Sequence, residues 1–178
     1  MSISLPTFRY HPDPIATGAV VASEATCRCC GESRGFVYKE NPYSRHRDLG
    51  ESICPWCIHN GQASRQFDAS FADEHPLVVA GLDPSIVDEV TRRTPGYETW
   101  QGDWWVCHCN DACAFLGDAT KADLKKFSSE EAEVVQGETW SQTDIDELLA
   151  DYEPKGSPAF YRFRCLHCGK ILYAVDRD

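Results

Sequence analysis

Basic residues are in short supply: 17 Lys and Arg stand against 28 Asp and Glu, a formal net charge of -11 over 178 residues. Phosphate backbones repel a chain of that sign, so non-specific nucleic-acid binding is not expected and a basic partner is. Long apolar runs are missing as well. Leu77 to Ala80 and Ile171 to Val175 are among the longest, far short of the ~20 residues that cross a bilayer, so no membrane role is expected. Residues 1–20 lack the basic start and apolar stretch of an export signal, which makes the cytoplasm the expected location. There is no P-loop, no dinucleotide fingerprint, no HExxH and no nucleophile elbow. None of the carboxylates pairs conspicuously with a second acid or base, and the expectation is a protein that is not an enzyme.

Cysteine, by contrast, is plentiful, with ten residues, eight of them in short paired spacings. Without an export signal, such pairs point to metal ligation and away from disulfides. Cys27-x-x-Cys30-Gly31 and Cys54-Pro55-Trp56-Cys57 form the first set. Both sulfurs of a CxxC pair can turn toward one point ~2.3 Å away, and two pairs complete a tetrahedron. Gly31 suits the knuckle turn, which wants a positive φ. A redox dithiol at Cys54 and Cys57 is the competing reading. It normally sits ahead of a long helix in a βαβ frame, whereas Gly61 interrupts the chain here. A rubredoxin-type iron centre shares the spacing, but zinc suits a site with no sign of electron transfer. Cys29 is expected to be a bystander.

The second set is Cys109, Cys113, Cys165 and Cys168. Cys165 and Cys168 form a knuckle between two strands. Cys109 and Cys113, four apart, can face one ion from a turn or helix start, and His108 with Cys113 is the alternative. His108 and His167 are otherwise read as polar residues bonded nearby, and Cys107 as a buried hydrophobe. Two structural zinc ions are therefore expected.

Charge is uneven along the chain. Residues 1–66 carry net +1 and residues 67–178 net -12, with nine acidic and no basic residues from Ser128 to Glu153. The expected organisation is an arm and first zinc-knuckle region over residues 1–66. An acidic, helical region over 67–178 follows, closed by the second knuckle hairpin, and the two can form one compact domain. The fold class is α+β: small, zinc-stabilised, with four-cysteine knuckles, short helices and β-hairpins. Pro6, Pro12 and Pro14 predict an extended surface arm. Helices are predicted over 63–71, 84–93, 121–127 and 141–151, the third only a turn or two. Asp83 caps the second, and Ser141 with Asp144 opens the last. Strands are predicted at 104–106, 160–164 and 171–175. Tyr97, Trp100, Trp104 and Trp105 read as a core strand and its flank, with an exposed binding patch as the alternative.

The chain resembles the CbrC family, named after a protein linked to tolerance of a DNase-type colicin. The shared words are Tyr10-His11-Pro12, Thr17-Gly18, Cys27-x-x-Cys30-Gly31 and Cys54-Pro55-Trp56-Cys57-Ile58, then Gly61 and Ala63. Phe71 with Asp73, Arg93-Thr94-Pro95-Gly96, Trp100-Gln101, His108-Cys109-x-x-x-Cys113-Ala114-Phe115 and Arg164-Cys165-Leu166-His167-Cys168 continue them. The resemblance covers almost the whole chain and puts His108 in the family pattern beside Cys109 and Cys113. It implies protection against a nuclease toxin.

The expected function is thus an immunity protein that inhibits a cognate, basic DNase toxin. A stress or tolerance factor acting through another cellular protein is the alternative, and a nucleic-acid role around Arg45, Arg47 and Arg65 is a third. The expected contact surface is Glu130, Glu131, Glu133, Asp144, Asp146, Glu147 and Asp151, although any one of them taken singly reads first as part of an ordinary solvated helix face.

Overall fold

Three prolines within the first fourteen residues withhold backbone donors, and the arm they stiffen has no regular structure before a turn at 14–18. It does not lie on the surface, as its composition suggests. Phe8, Tyr10 and His11 are buried. The computed structural model describes residues 4–100, 102–124, 141–150 and 152–176. Tyr10 enters one apolar cluster while Phe8 enters another, so the arm is shared between two cores. His11 Nδ1 donates to the Pro95 carbonyl at 2.8 Å, and Nε2 accepts from the Thr17 hydroxyl at 2.7 Å. Burial lowers its pKa to about 4, which keeps the ring neutral.

The first core gathers around strands β1 (Val20–Ala22) and β2 (Phe36–Tyr38), an antiparallel pair. Helices α1 (Pro55–His59) and α2 (Gln62–Phe67) follow, separated by Gly61 at φ +71°. The helix predicted to reach residue 71 stops at Asp68, which turns left-handed at φ 49°. The Ser64 hydroxyl donates to the Ala69 carbonyl there. Helix α3 (His75–Val79) leads to α4 (Pro84–Arg93), whose bounds match the sequence reading. Asp83 accepts from the Ser85 backbone N–H at 2.8 Å, and proline occupies the first helical position.

The second core is built on a hairpin, β3 (Cys107–His108) with β4 (Asp111–Ala112), and on an antiparallel sheet. That sheet has the order β5 (Ala114–Asp118), β6 (Ala159–Arg164), β7 (Ile171–Asp176). Side chains alternate across it, as period two requires. Ala159, Tyr161, Phe163, Leu172 and Ala174 face the second core. Phe160 and Tyr173 face a third cluster with Leu124 and Ile145. Those two come from α5 (Lys121–Leu124) and α6 (Gln142–Ala150). The Ser141–Asp144 start of α6 is reciprocal: Ser141 N–H donates to Asp144 at 2.9 Å and Asp144 N–H to the Ser141 hydroxyl at 3.2 Å.

The predicted strand at 104–106 is not one; pairing starts only at Cys107. Trp105 is nonetheless buried, its indole N–H donating to the Cys113 carbonyl at 2.9 Å. Tyr97 stacks on Phe115 with ring centres 4.2 Å apart and meets Tyr161 and Phe163 edge-on. Trp100 leaves the cluster and is exposed.

The two cores close on each other at Gly96. A Cβ there would stand 1.9 Å from the Phe71 carbonyl oxygen and 3.0 Å from the Tyr38 hydroxyl. Gly96→Ala should therefore lower stability by about 1–3 kcal/mol, the cost of overpacking, read as a reduced denaturant midpoint at saturating zinc. An unchanged midpoint would mean that the backbones do not approach this closely.

Candidate metal centres

Both late-pair and early-pair knuckles are made the same way. Cys27 N–H donates to the Glu32 carbonyl at 2.9 Å, and Gly31 N–H returns to the Cys27 carbonyl at 2.8 Å. Cys165 N–H donates to Lys170 at 2.9 Å, and Gly169 N–H returns to Cys165 at 3.1 Å. Gly31 and Gly169 share a φ of 74°. Glycine is needed because a side chain is strained in that region.

At the first centre, Cys27, Cys30, Cys54 and Cys57 bring their sulfurs within 4.8 Å of one another. Cys27 to Cys57 and Cys30 to Cys54 are both 3.9 Å. Four sulfurs held ~2.3 Å from one zinc ion stand about 3.8 Å apart, so the donor set fits the ion. Pro55 opens α1 immediately after Cys54, and the first helical turn carries Cys57 back toward it. The Cys54 backbone N–H reaches the Cys27 sulfur at 3.2 Å. A hydrogen bond from the Cys54 thiol, aided by backbone N–H groups, outweighs burial and lowers the Cys27 pKa, while the same bond raises that of Cys54. Burial raises Cys29, whose thiol donates to Gln66 Oε1 at 3.4 Å; it stands outside the group. Cys54 and Cys57 share their site with a second pair, and α1 has only five residues, so the frame of a redox dithiol is not there.

The second centre departs from the expected set. Its donors are His108, Cys109, Cys165 and Cys168, and Cys113 is not among them. The reason is a two-residue hairpin turn. Cys109 and Asn110 have φ of 53° and 56°, the positive pair that a tight hairpin needs, and they join β3 directly to β4. His108 at the end of β3 and Cys109 at the tip therefore face the knuckle together. Cys113 lies beyond β4, packs into the second core and has its thiol pKa raised by burial. The sulfurs of Cys109 and Cys168 lie 3.2 and 3.5 Å from His108 Nδ1. Around a tetrahedral zinc, sulfur and imidazole nitrogen stand about 3.6 Å apart, so three thiolates and one imidazole also fit. Burial would raise Cys165, but N–H groups of Cys168 and His167 and a hydrogen bond from the His108 ring outweigh it and lower its pKa. Asn at the second turn position was the sequence signal that could have placed His108.

The partner residues proposed from sequence divide. Asp144, Asp146 and Glu147 are exposed on α6, whose Ile145 is buried. Glu130, Glu131, Glu133 and Asp151 lie outside the described residues. Among the described residues, no helix is long and apolar enough to cross a membrane.

The two centres differ in exposure. Three of the four first-centre cysteines are buried, whereas Cys109 and Cys168 are exposed. A chelator should therefore take the second ion well before the first. Cys168→Ser should leave one zinc per chain and Cys113→Ala should keep two, measured by elemental analysis. Two ions in Cys168→Ser, or one in Cys113→Ala, would reverse the assignment.

A family model, UPF0167, described as an uncharacterised protein family, matches residues 5–177. A UPF0167 protein of Pseudomonas aeruginosa is 47% identical over 177 residues, 99% of each chain. UPF0167 proteins of Mycobacterium bovis and Mycobacterium tuberculosis are 39% identical over 175 residues, 97% of this chain and 93% of theirs. No solved structure matches. The chain belongs to the UPF0167 family.

Proposed function

We propose that this UPF0167 protein is a non-enzymatic, zinc-stabilised binding protein of the cytoplasm, and that its partner is a basic nuclease toxin which it inhibits. The observation that carries the binding half of the reading is the closed donor sets. Each group supplies four protein ligands, and zinc so held has no open position for a water or substrate. The metal's task is then to fold the chain, and the chain's task is to present a surface.

The partner's sign follows from charge. The formal net charge is -11, and residues 67–178 carry the acidic excess. A nuclease presents a basic cleft to its substrate, and an acidic inhibitor competes for that cleft. Such complementarity mainly raises the rate of encounter, while packed contacts set the lifetime. The words shared with the CbrC family, associated with colicin tolerance, support the same partner class. Cysteines held as metal thiolates suit a reducing compartment.

Asp146 and Glu147 are exposed on α6 and can be reversed without touching the Ser141–Asp144 cap. Asp146→Lys with Glu147→Lys should slow association with a nuclease encoded beside this chain's gene, by about tenfold at low salt, and flatten its salt dependence. Zinc content should not change. Stopped-flow mixing against salt measures both. An unaltered association rate would remove α6 from the contact surface. Failure of the parent to bind any co-encoded nuclease would remove the toxin reading.

A further inference from the structure

We propose that Asp111 is the positioning residue of the second metal centre and that it couples zinc there to docking of the N-terminal arm. The inference rests on the reading of that centre as a metal site and extends it to a conformational role. Asp111 is buried, and both its oxygens are fully used. Oδ2 accepts from Arg9 Nη2 at 2.6 Å and from His167 Nε2 at 2.8 Å. Oδ1 accepts from the Tyr10 hydroxyl at 2.8 Å and from the Ala112 backbone N–H at 2.8 Å.

These partners come from three separate stretches of chain. Arg9 and Tyr10 belong to the arm. Asp111 itself sits opposite His108 in the β3–β4 register, within the hairpin that carries two donors. His167 lies between Cys165 and Cys168, and its backbone N–H points at the Cys165 sulfur at 3.4 Å. One carboxylate thus sets the hairpin half of the donor set against the knuckle half, and fastens the arm to both. The carboxylate bonds His167 and not a ligand, so it acts on the ion through the two segments it holds together; outer partners of metal sites, when lost, commonly change affinity about 10–100-fold. Coupling of this kind is reciprocal: if zinc favours the docked arm, the docked arm favours zinc by the same factor.

The test uses the full chain loaded with zinc, a competing chromophoric chelator, and the first centre as internal reference. Asp111→Asn should weaken the second ion by about tenfold or more and leave the first unchanged. Arg9→Ala and Tyr10→Phe, neither of which touches a ligand, should shift the second ion in the same direction. Conversely, Cys168→Ser should speed chymotrypsin cleavage after Phe8 and Tyr10. Unchanged second-ion affinity in both arm variants, or an arm equally protected in Cys168→Ser, would overturn the coupling. Should Asp111→Asn fail to fold, Tyr10→Phe, which keeps the ring and removes one hydroxyl, decides. A parent that binds a single zinc ion overturns the metal reading itself, an outcome distinct from two ions that ignore the arm.

Discussion

A tetrahedral ion needs four donors at fixed distances, and the arrangement of this chain follows from delivering them twice. The regular elements are short: β1 and β2 have three residues each, and α1 has five. Elements of that length do not hold themselves together, and isolated short helices and hairpins are marginal in water. The first centre draws together the β2 neighbourhood and α1 by way of Cys27, Cys30, Cys54 and Cys57. The second draws the β3–β4 hairpin onto the turn between β6 and β7. In each case the ion's binding energy is folding energy, because the unfolded chain has no preformed site.

Apolar packing then takes over where the ions leave off. Tyr97, Phe115, Tyr161 and Phe163 form an aromatic nucleus directly beside the second centre's hairpin and knuckle. Phe8, Leu49, Ile53 and Ile58 pack around the first centre's cysteines. The arm and the close approach at Gly96 join the halves. Metal geometry and core geometry are mutually dependent here. The knuckle of Cys165 and Cys168 hangs from the β6–β7 hairpin, and that hairpin's alternate residues fill the second core.

How much of this was legible in the sequence depended on how local the information was. The first centre was legible because both its pairs are CxxC words, and each word closes within one turn. The same holds for Cys165 and Cys168, for α4 with its Asp83 cap, and for the Ser141 start of α6. The other half of the second centre was less legible. Four-residue spacing suggested that Cys109 and Cys113 share a face, but a two-residue turn at Cys109 and Asn110 folds the chain back instead. His108 and Cys109 are left at the ion and Cys113 is carried on into the core. The arm's prolines signalled irregular structure but not burial, since Phe8, Tyr10 and His11 are covered by residues far along the chain. Asp111 was invisible for the same reason: its partners lie at positions 9, 10 and 167.

Each donor set offers four protein ligands, and zinc held by four has no open position; the proposed function therefore rests on the surface that the fold presents. Everything said of that surface depends on the two donor sets being as assigned. X-ray absorption at the zinc edge of the fully loaded protein tests them together. The account predicts two ions sharing seven sulfur donors and one imidazole nitrogen, with no oxygen ligand. Eight sulfurs would return Cys113 to the second centre, and an oxygen donor would mean an open, solvent-bearing site and contradict the structural role argued for both ions.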